Sequence, residues 1–133
     1  MAAGHGRWDT ISLTLPARPE ARRVALLVVG GLAARLDLTY DTFEDLELAV
    51  EAALERAHGD EVSLVLTVRD ASIEAAVRPV DANALRAELD DDAEPVGLRR
   101  VLDTVADRYE LVERNGSSWL TVEKSTRKGD DGS

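Results

Sequence analysis

Residues 41–57 carry an apolar stripe at helical spacing, and two runs with strand-like alternation follow directly. The stripe consists of Phe43, Leu46, Val50, Ala53, Leu54 and Ala57. Residues three and four apart share one side of a helix, so this helix has a single face to bury. Residues 62–69 and 72–80 alternate apolar and polar positions, which gives each predicted strand one apolar face. One-sided helices and strands pack as two layers.

The other segments complete a two-layer α/β sandwich of the α+β class, which we expect to have a mixed sheet covered on one face by about three helices. Further strands are predicted at 11–15 and in a hairpin of 109–114 and 118–124, whose Asn115-Gly116 turn favours tight reversal. Further helices are predicted at 20–36 and from Pro95 to about 107, with Pro95 opening the second. In the helix predicted at 20–36, Val24, Leu27, Val28 and Leu32 share one helical face, although the apolar run 24–29 before Gly30-Gly31 also fits a buried strand and turn. The length and the Ala- and Arg-rich flanks favour the helix. Leu85 and Leu89 permit a short helix within the acidic segment 81–94.

The chain is acidic, with 26 Asp and Glu against 16 Lys and Arg and a formal net charge of -10. Such a surface repels nucleic acids and anionic membranes on average, so we expect no direct contact with either. The acids concentrate at 41–61 and 81–94, which indicates either a solvated face or a docking surface for a basic protein. No apolar run reaches membrane-spanning length and no secretion signal is recognisable, so we predict a cytoplasmic protein.

Few residues suit catalysis or metal binding. The sequence contains no cysteine, which excludes disulfides and thiolate chemistry. Neither histidine, His5 or His58, has a second His or Cys at metal-ligand spacing, and His58 fits a helix C-terminus. The run Asp90-Asp91-Asp92 lacks the ligand spacing of a calcium loop. We therefore predict neither a metal nor a cofactor.

Four stretches of the sequence carry a resemblance to a known family. They are Leu-Thr-Leu-Pro-Ala-Arg-Pro-Glu at 13–20, Ala-Ala-Arg-Leu-Asp at 33–37, Thr-Tyr-Asp-Thr-Phe-Glu-Asp-Leu-Glu-Leu-Ala-Val at 39–50 and Trp-Leu-Thr-Val-Glu-Lys at 119–124. On these residues the chain resembles the RsbW-like anti-sigma factors and serine-protein kinases of the histidine-kinase-like (GHKL) ATPase superfamily. The resemblance covers about residues 9–125 and implies a bacterial partner-switching regulator with that fold. We expect 1–8 and 126–133 to be flexible tails.

The resemblance also implies where nucleotide chemistry would be located. The family's long helix carries a Glu that activates the attacking group and, four residues later, an Asn that ligates magnesium. These positions are Ala52 and Arg56 here; a register slip of one would put Glu51 at the first. Asp81 and Gly97 are the remnants of the family's adenine-binding and phosphate-wrapping segments. We therefore predict no catalytic residues, and a pseudokinase instead of an enzyme.

The predicted function is that of an anti-sigma-like regulator of transcription, which binds a sigma factor or a STAS-type antagonist without kinase activity. The family docks its partners near the start of the first helix, which implies Arg22 and Arg23, with Glu47 and Glu51 as acidic contacts. Arg22 and Arg23 are also explained as ordinary surface charges. Two alternatives stay open: an active ATP-binding serine kinase with atypical motifs, and a dimerisation or scaffold module. The family's sheet-mediated dimer makes a homodimer possible.

Overall fold

The computed structural model describes residues 9–91, 93–94 and 97–126, and these form five strands and four helices. In chain order the elements are β1 (Asp9–Pro16), α1 (Pro19–Arg35), α2 (Tyr40–Arg56), β2 (Glu61–Val68), β3 (Ser72–Arg78), α3 (Ala82–Asp90), α4 (Leu98–Val105), β4 (Arg108–Arg114) and β5 (Ser117–Ser125). The predicted tails lie outside the described residues except for Thr126, whose N–H donates to the Ala71 carbonyl at 2.9 Å. Pro95, the predicted start of the last helix, also lies outside them.

The strands form one sheet in the order β1-β2-β3-β5-β4, and every neighbouring pair is antiparallel. The two-layer α+β fold is confirmed, but the predicted mixed sheet is wrong. Short turns join β2 to β3 and β4 to β5, and such turns force antiparallel neighbours. Asn115 and Gly116 supply the positive φ angles, 51° and 76°, of the second turn. The helices in the described residues number four instead of about three, because the acidic segment forms α3.

The helix α2 lies in the middle of the helical layer, where it contacts α1, α4 and β5. Its N-cap is Thr39, whose Oγ1 accepts a hydrogen bond from the Thr42 backbone N–H at 3.2 Å. The predicted stripe is buried at Leu46, Val50 and Ala53. An ion pair from Lys124 Nζ of β5 to Asp45 Oδ2, at 3.0 Å, holds α2 against the sheet.

The helix α1 packs beside α2 and confirms the helical interpretation of 20–36. Gly30 of α1 faces α2, and a Cβ added there would lie 3.9 Å from the Phe43 ring. The N-cap of α1, Arg18, makes no side-chain capping hydrogen bond. The side of α1 that faces the core is formed by Ala25, Val29, Leu32 and Ala33.

The helices cover only one face of the sheet. On that face the strands contribute buried side chains such as Leu64, Ile73 and Leu120, which join the helices in one core. The opposite face, here called the open face, carries the alternate side chains of each strand, among them Ser63, Arg78 and Trp119. In the described part of the chain, no helix is both long and apolar enough to cross a bilayer.

Candidate functional site at the end of the second helix

The C-terminal half of α2 borders a cavity of about 250 Å³ that it shares with α4. The cavity is lined by Leu48, Glu51, Ala52, Glu55, Arg56, Leu98 and Val101. Residues 48, 51, 52 and 55 share one side of a helix because they are three or four positions apart. The amphipathic pattern of α2 therefore does two things: it buries one stripe and presents carboxylates at the edge of this cavity.

Arg56 lies between this cavity and a second one, of about 230 Å³, at the base of α3. Its Nη2 donates to Glu88 Oε1 of α3 at 2.9 Å, and its Nη1 donates to Glu55 Oε1 at 3.2 Å. About a quarter of the Arg56 side chain is exposed, so solvent screens these pairs only partly. The guanidinium links the last turn of α2 to α3.

Ala52 and Arg56 do not fit a magnesium ion. Ala52 is buried and offers no oxygen, and a permanently charged guanidinium repels a cation. Among residues 9–91, 93–94 and 97–126, no three His, Asp or Glu side chains are grouped to hold a metal. The arrangement instead provides charge pairing within the protein and carboxylates toward the cavity.

Asp81 and Gly97 each begin a helix. Asp81 is the N-cap of α3, and its Oδ1 accepts from the Ala84 N–H at 3.1 Å. Gly97 is the N-cap of α4, where a Cβ would lie 2.9 Å from the Glu94 Cβ. A larger residue at 97 would force Glu94 to move, so glycine has a local reason there. Their interpretation as nucleotide-site remnants stays a prediction.

The four predicted partner contacts lie in different places. Arg22 is half-buried and lines a cavity of about 160 Å³ between the start of α1 and the end of α2, whereas Arg23 is exposed. Glu51 lines the cavity between α2 and α4. Glu47 lies near the start of α2, where its charge, with the larger contribution of Glu44, raises the pKa of Tyr40. No single described cavity contains all four.

Sequence reasoning missed an apolar surface on α1. Val24 and Leu27, predicted to share a face with Val28 and Leu32, are 47% and 72% exposed. The sequence does contain a signal for this surface, because apolar residues occupy nearly the whole circumference of the helix at 24–33. A two-layer fold buries only one side of a helix, so part of that apolar circumference must be exposed. Small residues, Ala25 and Ala33, take part of the buried side and allow close packing.

The sequence is similar to curated proteins named serine-protein kinase RsbW. It is 37% identical to that of Bacillus velezensis over 65 residues, 46% of this chain and 41% of the relative. The Halalkalibacterium halodurans protein is 47% identical over 45 residues (34% of this chain, 28% of the relative), and the Bacillus subtilis protein 41% over 49 residues (37% and 31%). The chain thus matches less than half the length of each of these relatives. No protein-family model matches the chain.

A solved structure has the same fold. The crystal structure of the RsbU and RsbW domains of Rv1364c from Mycobacterium tuberculosis aligns with a TM-score of 0.61 and 16% identity, covering 90% of this chain and 33% of that one. The chain is RsbW-like in sequence and in fold.

The relatives also correct one prediction. The expectation that the chain is not an enzyme is contradicted, because the similar curated proteins are named as serine-protein kinases. That expectation rested on Ala52 and Arg56, two positions transferred from the family pattern. In the RsbW-like fold those positions border a cavity that retains two other carboxylates, Glu51 and Glu55, so their identity alone does not decide the chemistry.

Proposed function

We propose that this RsbW-like chain is an anti-sigma-type regulator that binds a sigma factor and a STAS-domain antagonist in turn, through one surface on α1. The observation that carries the proposal is the exposed apolar side of α1, with Leu27 at 72% and Val24 at 47% exposed beside the exposed Arg23. Arg23 and Leu27 are four residues apart and therefore adjacent on the helix.

The chemistry of this surface suits protein recognition. Exposed leucine and valine supply apolar area, and an arginine at the rim supplies directed hydrogen bonds to a partner carboxylate. Arg22 lies beside them in sequence and lines the cavity at the start of α1. Since two partners would use the same side chains, their binding would be mutually exclusive, which is the property that partner switching requires.

The experiment uses purified sigma factors and STAS-domain proteins of the source organism, tested for binding by calorimetry and then in competition. We expect one member of each class to bind with micromolar affinity or better, and each to displace the other. Leu27→Ser should weaken both interactions by about tenfold or more, as for a central apolar contact. Arg23→Ala should weaken them by a smaller factor.

The matched controls are on the same molecule. Leu48 is an exposed leucine of α2, at 45%, and Leu48→Ser should leave both affinities unchanged. Arg35 is exposed in the last turn of α1, and Arg35→Ala should also have no effect. The proposal fails if no member of either class binds the folded protein, or if both partners bind at once.

A second candidate function is the serine-protein kinase activity for which the relatives are named. The observation in its favour is that Glu51 and Glu55 both line the cavity beside Ala52. Glu51 is one position from the residue expected to activate the attacking hydroxyl, so a carboxylate is available within the same turn of α2.

The test is transfer of phosphate from ATP to the STAS-domain protein identified by binding. If the second function holds, Glu51→Gln should abolish transfer while leaving the partner affinity intact. Glu47→Gln, a change of the same kind one turn earlier on α2, is the control and should retain transfer. Absence of phosphate transfer by the wild-type protein, with binding intact, would eliminate this candidate and leave the first unaffected.

A further inference from the structure

The two ends of the open face differ in how their arginines are neutralised. At one end Arg69 pairs with Glu74 at 3.5 Å and Arg108 pairs with Glu123 at 3.7 Å. At the other end lie Arg78 of β3 and Arg114 of β4. Within the described ranges, 9–91, 93–94 and 97–126, neither of these guanidiniums has a carboxylate within ion-pair distance.

Arg78 is held in place by hydroxyl groups that leave its charge intact. Its Nε donates to Ser117 Oγ at 2.9 Å and its Nη1 donates to Ser63 Oγ at 3.1 Å. Ser63 is the cross-strand partner of Arg78 on β2. The guanidinium is therefore oriented before any ligand arrives, which reduces the entropy lost on binding.

Trp119 lies between the two arginines. The Cζ atoms of Arg78 and Arg114 are 5.8 Å and 6.0 Å from the centre of its ring, within the range of cation–π attraction. Its Nε1–H is buried and donates to no acceptor in the part of the chain that the structure describes. A buried donor without a partner costs free energy.

These side chains border a cavity of about 400 Å³ on the open face. Its lining also includes hydroxyl-bearing residues of three strands, Ser12, Thr14, Ser63 and Ser117, together with Leu13, Val65 and Asn115. The cavity thus combines two cations, several hydroxyls that can donate to an anion, and an aromatic ring. It suits a carboxylate flanked by an apolar group.

Apart from Glu61, the acids of the open face named here lie far from this cavity. By strand alternation Glu110 lies four residues from Arg114, and Glu74 lies four residues from Arg78; four residues of a strand span about 13 Å. Glu61 is nearer, two residues from Ser63, but makes no ion pair with Arg78 at 4 Å or less. In a chain of net charge -10, this end is a local positive patch.

We propose that Arg78, Arg114 and Trp119 form a binding site for a short acidic peptide segment of a partner protein. Charge complementarity selects the acidic residue, which lies between the guanidiniums, and Trp119 receives the neighbouring apolar side chain. A short segment contacts only the patch, whereas a long polyanion such as a nucleic acid would also meet the repulsion of the remaining surface. The site lies on the opposite side of the sheet from α1 and is independent of the function proposed above.

The experiment uses the full chain with Trp8→Phe, which leaves Trp119 as the single tryptophan, since the sequence has two. Titration with a hexaglutamate peptide ending in leucine should change the Trp119 emission saturably, and added salt should weaken the binding. Arg114→Ala should reduce the affinity about tenfold, as expected for loss of a charge-assisted hydrogen bond. Arg78→Ala should do at least the same, although it also removes the contacts to Ser63 and Ser117.

The control is Arg108→Ala, at the paired end of the same face, which should change the affinity by less than about twofold because Arg108 is a screened surface charge. A hexaglutamine peptide should not bind. The proposal is overturned if emission is unchanged at millimolar peptide, or if Arg114→Ala binds as well as the parent. It is also overturned if a single-stranded oligonucleotide binds more tightly through the same arginines, or if sedimentation shows a dimer that Arg114→Ala dissociates.

Discussion

The helices α1 and α2 have the same length, 17 residues, and pack side by side, yet they relate to the core differently. α2 has an N-cap, a single apolar stripe and charged residues on its other side, so it is anchored at its start and along its length. α1 lacks a side-chain cap, is apolar nearly all round, and exposes two of its larger apolar residues. α2 buries six residues and α1 buries four, and Leu27 of α1 is the most exposed large apolar side chain in the described part of the chain.

The largest expected effect of this difference is at Leu46 of α2, which is fully buried. Leu46→Ala should lower the free energy of unfolding by about 3 kcal/mol, because it removes buried apolar atoms and leaves a cavity. Denaturant unfolding measures this directly. Leu48→Ala, two residues further on the exposed side, is the control and should cost about 1 kcal/mol or less. Equal losses at both positions would mean that α2 does not anchor the fold by its stripe.

The buried side of α2 could be predicted from sequence, because its apolar residues recur at one spacing and no alternative face competes. The same reasoning failed for α1, since Val24 and Leu27 are as apolar as Val29 and only the packing of Ala25 and Gly30 against neighbours decides which side is buried. Periodicity identifies a face only where the other face is polar.

The candidate sites also contain some features that the sequence predicts and others that only the packing of the elements creates. The positions Ala52 and Arg56 could be assigned by resemblance, but the Arg56–Glu88 pair joins residues 32 apart in sequence and depends on where α3 packs. Arg78, Arg114 and Trp119 come from three strands that become neighbours only through the β3–β5–β4 order. Sequence patterns describe single elements, whereas these sites exist only between elements.

The next effect in size concerns the helix starts. Thr39→Ala removes the hydrogen bond from Thr42 N–H to Thr39 Oγ1 and should destabilise the protein by about 1 kcal/mol. Arg18→Ser introduces a capping hydroxyl at the start of α1, where the extended backbone permits it, and should stabilise by about 0.5 kcal/mol. Thermal unfolding at matched pH compares the stability of the two variants with that of the parent protein. If Arg18→Ser lowers the free energy of unfolding, Arg18 contributes a stabilising interaction other than capping.

A smaller effect is expected at the ion pair between α2 and α3. Glu88→Gln removes the charge opposite Arg56 and should cost about 0.5 kcal/mol, since both side chains are partly exposed and screened. A double-mutant cycle with Arg56→Met isolates the pair energy. Coupling above about 2 kcal/mol would contradict the screened description and indicate a pair much more shielded from water.

The effect of the acidic charges at the start of α2 can be measured in the folded protein, through the pKa of Tyr40. Glu44 raises the pKa of Tyr40 through its charge first and through the hydrogen bond from Tyr40 Oη to its Oε2, 3.3 Å, second. Glu44→Gln should therefore lower the pKa of Tyr40 toward its ordinary value of 10.0. Ultraviolet titration of the phenols measures this, and Tyr109, whose pKa is raised by burial and by Asp103, provides an internal reference that should not move.

The smallest expected effect on stability is Leu27→Ala, the same chemical change on α1 that is most damaging at Leu46 of α2. Leu27 is 72% exposed, and alanine is at least as good a helix former, so the free energy of unfolding should change by less than about 0.5 kcal/mol. Unfolding measured at two protein concentrations makes the test informative. A loss above about 1 kcal/mol that grows with concentration would mean that a second copy covers Leu27, and α1 would then be a dimer surface instead of a docking surface for another protein.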